Sequence, residues 1–229
     1  LNKLRALAAF SPDALSSIAY ANQEIYLGLA AAGAVGLSQS FPIAIAITAL
    51  LAVVALSYFQ TIHGYPSGGG SYAVARENLG TIPGLVAAAA LLIDYLLTAA
   101  VSLTAGVAAI ASALPELWPH HVTLSILFLL AITMLNLRGL RETGSFMAIP
   151  VYLFLLVYLP MLAYGAILVL VKGPVPFAAT ALTATQPLTL FLLLHTFSTG
   201  CTALTGIEAI SNGVPAFRPP EVKNAGRTL

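Results

Sequence analysis

The chain has 229 residues, 59% hydrophobic and only 7% charged, with a formal net charge of +1 and a mean hydropathy of +0.94. A soluble domain carries roughly 25% charged residues, so this composition excludes a soluble globular enzyme, a nucleic-acid-binding domain and a disordered tail. Long unbroken apolar runs also argue against a membrane β-barrel, whose strands alternate apolar and polar residues, and leave an all-α polytopic membrane protein.

Six apolar stretches are long enough to cross about 30 Å of hydrocarbon at about 1.5 Å per residue. They fall near 13–37, 41–63, 82–112, 122–137, 143–171 and 187–214. The first begins Ser11-Pro12-Asp13, a serine N-cap followed by proline at the first helical position. Asp13, Ser16, Ser17 and Tyr20 recur at helical spacing, so one face carries a carboxylate and three hydroxyls. Asp13 also suits the positive end of its own helix. The polar patch Ala21-Asn22-Gln23-Glu24 predicts a break in mid-membrane, because broken spans are tolerated where they line a cavity.

The loop Gly64 to Tyr72 is rich in glycine but lacks the lysine and spacing of a phosphate cradle; it reads as a close-packed cytoplasmic turn and gate. The third stretch is dense in alanine and glycine, which lets helices approach closely in lipid. Asp94, Thr98 and Ser102 lie at i, i+4 and i+8 on one oxygen-rich stripe, with Tyr95 on an adjoining face. Thr98 and Ser102 also suit bonding to their own backbone; Asp94 has no such role. Trp118, between Pro115 and Pro119, reads as an external interface anchor, and His120 and His121 as solvated loop residues. Pro150 and Pro160 predict kinks in the fifth stretch.

The last stretch carries Gly200, Gly206, several hydroxyls and Glu208 at its centre, which predicts a second discontinuous helix. A pair of interrupted spans points to a transporter site. Cys201 reads as a small packing residue and His195 as an interior histidine. A single cysteine permits no intrachain disulfide. No Ser-His-Asp set or metal-ligand cluster is present in the sequence, so an enzyme is not expected; an intramembrane aspartyl enzyme lacks its motif.

Charge placement gives orientation. With six crossings, Lys3, Arg5, Arg76, Arg138, Arg141, Arg218, Lys223 and Arg227 all fall on one side and Lys172 alone on the other. By the positive-inside rule both ends of the chain are cytoplasmic. Four of the eight acidic residues lie within spans: Asp13, Glu24, Asp94 and Glu208. No lysine or arginine lies beside them to neutralise them. Ionisable groups in hydrocarbon cost at least a few kcal/mol each, so these carboxylates are expected to bind a cation or hold protons.

Asp13 to Tyr20, with the element Ser11-Pro12-Asp13-Ala14-Leu15-Ser16-Ser17, resembles the first helix of KimA-like potassium importers. These belong to the amino acid–polyamine–cation superfamily and are related to KUP-type potassium–proton symporters. Tyr65-Pro66 with Gly68 to Tyr72 is similar to the superfamily's loop after helix 2, and Thr205-Gly206-Ile207-Glu208 with Val214-Pro215 to its helix 6 and exit. The resemblance implies a LeuT-type inverted repeat of which helices 1–6 are present. The first five-helix repeat would span about 11–171, the first helix of the second repeat 187–214 and a tail 215–229. It further implies plasma-membrane potassium import coupled to protons, with potassium and proton as the transported species and no cofactor.

The ion ligands it implies are Asp13, Tyr20, Asp94, Tyr95, Thr98, Ser102, Thr205 and Glu208, with Glu208 also coupling to the proton; Glu24, Ser16 and Ser17 are secondary candidates. The partners implied are the lipid bilayer, a small cation and, in the full-length form, a second copy as a homodimer, with no nucleic acid. The chain opens on Leu1 and by the resemblance stops after helix 6, without the family's helices 7 to 10 and beyond, of which helix 8 should contribute to the site, so it reads as a fragment that would not transport alone. Alternatives are an amino-acid or polyamine permease of the same fold, and a non-transporting membrane sensor or assembly subunit. Asp13 and Asp94 would repel an amino acid's carboxylate, which favours a bare cation or a polyamine.

Overall fold

A computed structural model describes residues 3–173 and 183–229, with the side chains of 3–5 and 140–143 left out. The cation side chains of Lys3, Arg5 and Arg141 therefore lie outside the described residues, as does most of the connection from Lys172 to Gln186. The described residues are helical throughout their regular structure. In chain order the helices are α1 (Lys3–Phe10), α2 (Pro12–Ala30), α3 (Gly33–Leu37), α4 (Ser40–Gly64), α5 (Gly70–Leu79), α6 (Thr81–Ala113), α7 (His121–Asn136), α8 (Leu140–Lys172), α9 (Leu190–Gly200), α10 (Glu208–Asn212) and α11 (Glu221–Gly226). Short 3-10 turns occupy Pro115–His120, Cys201–Leu204 and Val214–Ala216.

Five segments among the described residues are long and apolar enough to cross a membrane: Gly33–Gly64, Thr81–Ala113, Pro115–Asn136, Gly144–Lys172 and Leu190–Asn212. The expected first crossing does not qualify on these terms. Its hydroxyls and the run Asn22-Gln23-Glu24 dilute the apolar character of α2, and the chain turns at Ala31-Ala32 before α3.

The break expected at Ala21 to Glu24 is not there. α2 runs unbroken from Pro12 to Ala30, since none of those four residues opposes a helix, and Asn22 donates from Nδ2 to the Ile18 carbonyl at 3.2 Å. The interruption comes at Ser11, between α1 and α2. Pro12 has no N–H to donate to the Ala8 carbonyl, and its ring clashes with that turn. Ser11 serves both segments: its N–H donates to Leu7 at 2.8 Å and its carbonyl accepts from Leu15 at 2.9 Å. Its side chain makes no capping bond, contrary to expectation, and its Oγ is buried without a partner among the described residues.

The second expected break is present. α9 ends at Gly200, a 3-10 turn follows, Thr205 is extended and α10 begins at Glu208. α8 continues through both Pro150 and Pro160.

Two buried apolar clusters hold the bundle. One joins α2, α3 and α4 through Ile25, Leu29, Leu37, Ile43 and Ile47, with Leu193 and Phe197 of α9 packed on it. The other joins Ala6, Ile62, Ile210, Val214, Phe217 and Ala225, and Phe10 stacks on Phe217 with centroids 5.3 Å apart. Ile47 and Ile62 are fifteen residues apart on one helix, so the clusters sit about 22 Å apart along it. Glycine closes α2 onto α9: a Cβ on Gly28 would stand 2.6 Å from Thr196 Oγ1, and one on Gly200 would stand 2.7 Å from Ile25 and Ile47 side-chain atoms. Outward residues such as Leu92, Ile93 and Leu96 of α6 are exposed, which suits hydrocarbon surroundings.

Candidate functional site

The two interruptions meet. Gly206, in the break between the 3-10 turn and α10, has φ +92°, a conformation that L side chains rarely adopt. A Cβ there would stand 2.5 Å from the Ala14 nitrogen and 3.0 Å from Asp13 Cβ and Cγ. Glycine therefore lets the unwound segment lie directly on the first turn of α2.

Around this contact the acidic residues gather. Glu208 is 6% exposed. Its Oε2 accepts the Gly206 N–H at 3.0 Å, while its Oε1 is buried without a partner among the described residues. The Glu208 carbonyl accepts the Ser211 hydroxyl at 2.9 Å, fixing the start of α10. Asp13 and Asp94 lie close enough to Glu208 to act on it electrostatically, and Asp94 acts on Asp13 in the same way. Like charges gathered in a poorly solvated place repel one another unless a cation or a proton intervenes.

Hydroxyls extend from this centre. Ser17 is fully buried; its Oγ donates to Asp13 Oδ1 at 3.2 Å and pairs with the Tyr20 hydroxyl at 2.9 Å. Ser16 Oγ donates to the Asp13 carbonyl at 3.0 Å. Tyr20 and Ser16 in turn line a cavity of about 560 Å³ between α2, α6 and α8, which Ser102 also lines. Ser102 Oγ is buried without a partner among the described residues.

Tyr95 accepts a hydrogen bond from Asn212 Nδ2, which ties α6 to the end of α10. Thr98 and Thr205 are half-buried. No hydrogen bond between described residues joins either to a carboxylate.

Glu24 does not join this group. It is exposed and lines a second cavity of about 420 Å³ with Trp118, His121 and Ser125. Trp118 is exposed there and stacks on His121 with centroids 5.3 Å apart. His195, expected in the interior, is exposed and stands against Phe191, because it falls on the outer face of α9. Cys201 packs half-buried against the first apolar cluster.

Two residues beside the carboxylates escape a reading of the sequence. Tyr58, half-buried on α4, acts electrostatically with Glu208 and Asp94. A lone tyrosine in an apolar run carries no pattern of its own. Asn212 reaches Tyr95 across 117 positions of chain, and its place at the end of a broken span was the sole available signal.

The glycine loop forms the close-packed turn its sequence predicts. Gly68, Gly69 and Gly70 all have positive φ. The Gly69 N–H donates to the Asn212 carbonyl at 3.3 Å, and a Cβ on Gly68 would stand 2.8 Å from that same oxygen.

The amino acid permease family profile matches residues 2–229. The potassium transporter KimA of Bacillus subtilis strain 168 is 50% identical to the chain over 232 residues. That match takes in the whole of this chain and 38% of the relative's length.

Proposed function

The chain belongs to the amino acid permease family, and on that premise we propose that it forms the first part of a secondary transporter that imports potassium, coupled to protons. The observation that carries this reading is Glu208, nearly enclosed, with one carboxylate oxygen held by the Gly206 N–H and the other unpartnered, in the field of Asp13 and Asp94. The relative named a potassium transporter supports the choice of cation. A dehydrated potassium ion is held by several weak oxygen ligands. Asp13, Tyr20, Asp94, Tyr95, Thr98, Ser102, Thr205 and Glu208 supply them in this reading. Glu208 alternates between protonated and ionised forms, which links ion release to proton movement.

In this reading α2 is the first of six crossings, its polar face turned to the site, and both ends of the chain are cytoplasmic. The full-length protein resides in the plasma membrane and pairs as a homodimer.

The test uses the full-length protein in cells that lack their own potassium importers. Growth on low potassium is expected from wild type and is expected to be lost in Asp94→Asn and in Glu208→Gln, each still present in the membrane. Uptake of labelled amino acid or polyamine that survives Asp94→Asn, without a potassium phenotype, would overturn the potassium reading in favour of a permease.

A further inference from the structure

Asn212 stands at a junction that the ion ligands alone do not explain. It is the last residue of α10, four positions after Glu208 and therefore one turn along the same short helix. Its backbone carbonyl accepts the Gly69 N–H at 3.3 Å. Its side-chain Nδ2 donates to the Tyr95 hydroxyl. Its Oδ1 is buried and has no partner among the described residues. The glycine loop leaves no slack around it: a Cβ on Gly70 would stand 2.1 Å from Asn212 Oδ1 and 2.9 Å from Ser211 Oγ. Gly70 has φ +47°, so both the space and the backbone conformation there call for glycine.

We infer that Asn212 is a positioning residue, which carries the placement of the Gly68–Gly70 loop to the Tyr95 hydroxyl and so sets how that oxygen meets a cation. The inference rests on the potassium reading above, which takes Tyr95 as a ligand. The physical reason is the inventory of a phenol: one proton and two lone pairs. An amide donor engages one lone pair and fixes rotation about the bond to the ring. The second lone pair is then left in a set direction. A ligand oxygen held this way loses no orientational freedom when an ion arrives, and preorganisation of that kind raises affinity without adding a contact. When the loop shifts, the Asn212 carbonyl and side chain shift with it, and Tyr95 loses its fixed direction.

The test is a double-mutant cycle on potassium uptake by the full-length protein, with rates normalised to the amount in the membrane. Asn212→Ala is expected to raise KM for potassium several-fold, up to about tenfold, the worth of one well-placed hydrogen bond. The same change in a Tyr95→Phe background is expected to move KM by less than about twofold, because the hydroxyl through which Asn212 acts is already gone. A merely structural role would lower the maximal rate or the membrane abundance equally in both backgrounds.

Asn212→Asp supplies a second arm should the alanine variant not reach the membrane. It keeps the side-chain shape but replaces the donor, and is expected to raise KM even though its negative charge would by itself draw a cation. Equal KM changes in both backgrounds, an unchanged KM in Asn212→Ala, or a lowered KM in Asn212→Asp would each overturn the inference while wild-type potassium uptake stands. Absence of potassium uptake by wild type would overturn the potassium reading itself, and this inference with it.

Discussion

Gly206→Ala perturbs the contact on which the whole site depends. The native residue has φ +92°, where a residue with a Cβ is strained by about 1 to 3 kcal/mol. The added methyl would also stand 2.5 Å from the Ala14 nitrogen and 3.0 Å from Asp13 Cβ and Cγ. The first of these neighbours is backbone at the start of a helix and has little freedom to retreat. Forcing extra volume into a packed place costs about another 1 to 3 kcal/mol.

Either the unwound segment moves away from α2 or the Gly206 N–H turns from Glu208 Oε2; both separate Glu208 from Asp13. The assay is potassium uptake by the full-length variant beside its thermal melting in detergent. Uptake is expected to fall to background with a lowered melting temperature. Gly165→Ala is the control: it lies in α8, where a Cβ would meet no neighbour within 4 Å, and alanine in a helix is favoured over glycine by roughly 0.5 to 1 kcal/mol. A Gly206→Ala protein as active and as stable as Gly165→Ala would refute the close apposition of the two breaks.

Three further outcomes are expected. Ser17→Ala removes a fully buried hydroxyl that bridges Asp13 and Tyr20, so it should cost about 1 to 3 kcal/mol in chemical or thermal unfolding and raise KM for potassium. Thr196→Val exchanges a buried hydroxyl without a partner among the described residues for a methyl of similar shape, and should leave melting unchanged or raise it; a marked loss would mean that the hydroxyl is satisfied in the membrane. Glu24→Gln lies away from the carboxylate cluster, on the second cavity, and uptake at saturating potassium should match wild type; loss of uptake would return Glu24 to the ion site.

Much of the helical architecture and family is legible in the sequence because hydrocarbon demands long apolar runs, and those runs end where the helices end: 41–63 against Ser40–Gly64, and 82–112 against Thr81–Ala113. The permease-family resemblance carried by the glycine loop and the Thr205 to Glu208 element agrees with the family match over residues 2–229. The break before Glu208 is legible because two glycines bracket it. The first break is misplaced because polarity and helix breaking are different properties. Asn22, Gln23 and Glu24 dislike lipid but accept a helix, whereas Pro12 breaks the hydrogen-bond ladder outright. Tyr58 stays hidden because a single polar residue in an apolar helix has no periodicity to betray it, and Asn212 because its partners Gly69 and Tyr95 lie far away in the chain.

The central claim is that carboxylates from both breaks hold a potassium ion and that Glu208, by alternating between protonated and ionised forms, links its release to proton movement. The most direct measurement is proton movement in liposomes carrying the purified full-length protein, with an imposed potassium gradient and a pH-sensitive dye inside. Wild type is expected to move protons in response to potassium, Glu208→Gln to lose proton movement, and Asp94→Asn to lose the response to potassium altogether. A wild-type protein whose proton movement ignores potassium, or a Glu208→Gln protein that still couples the two, would contradict the account.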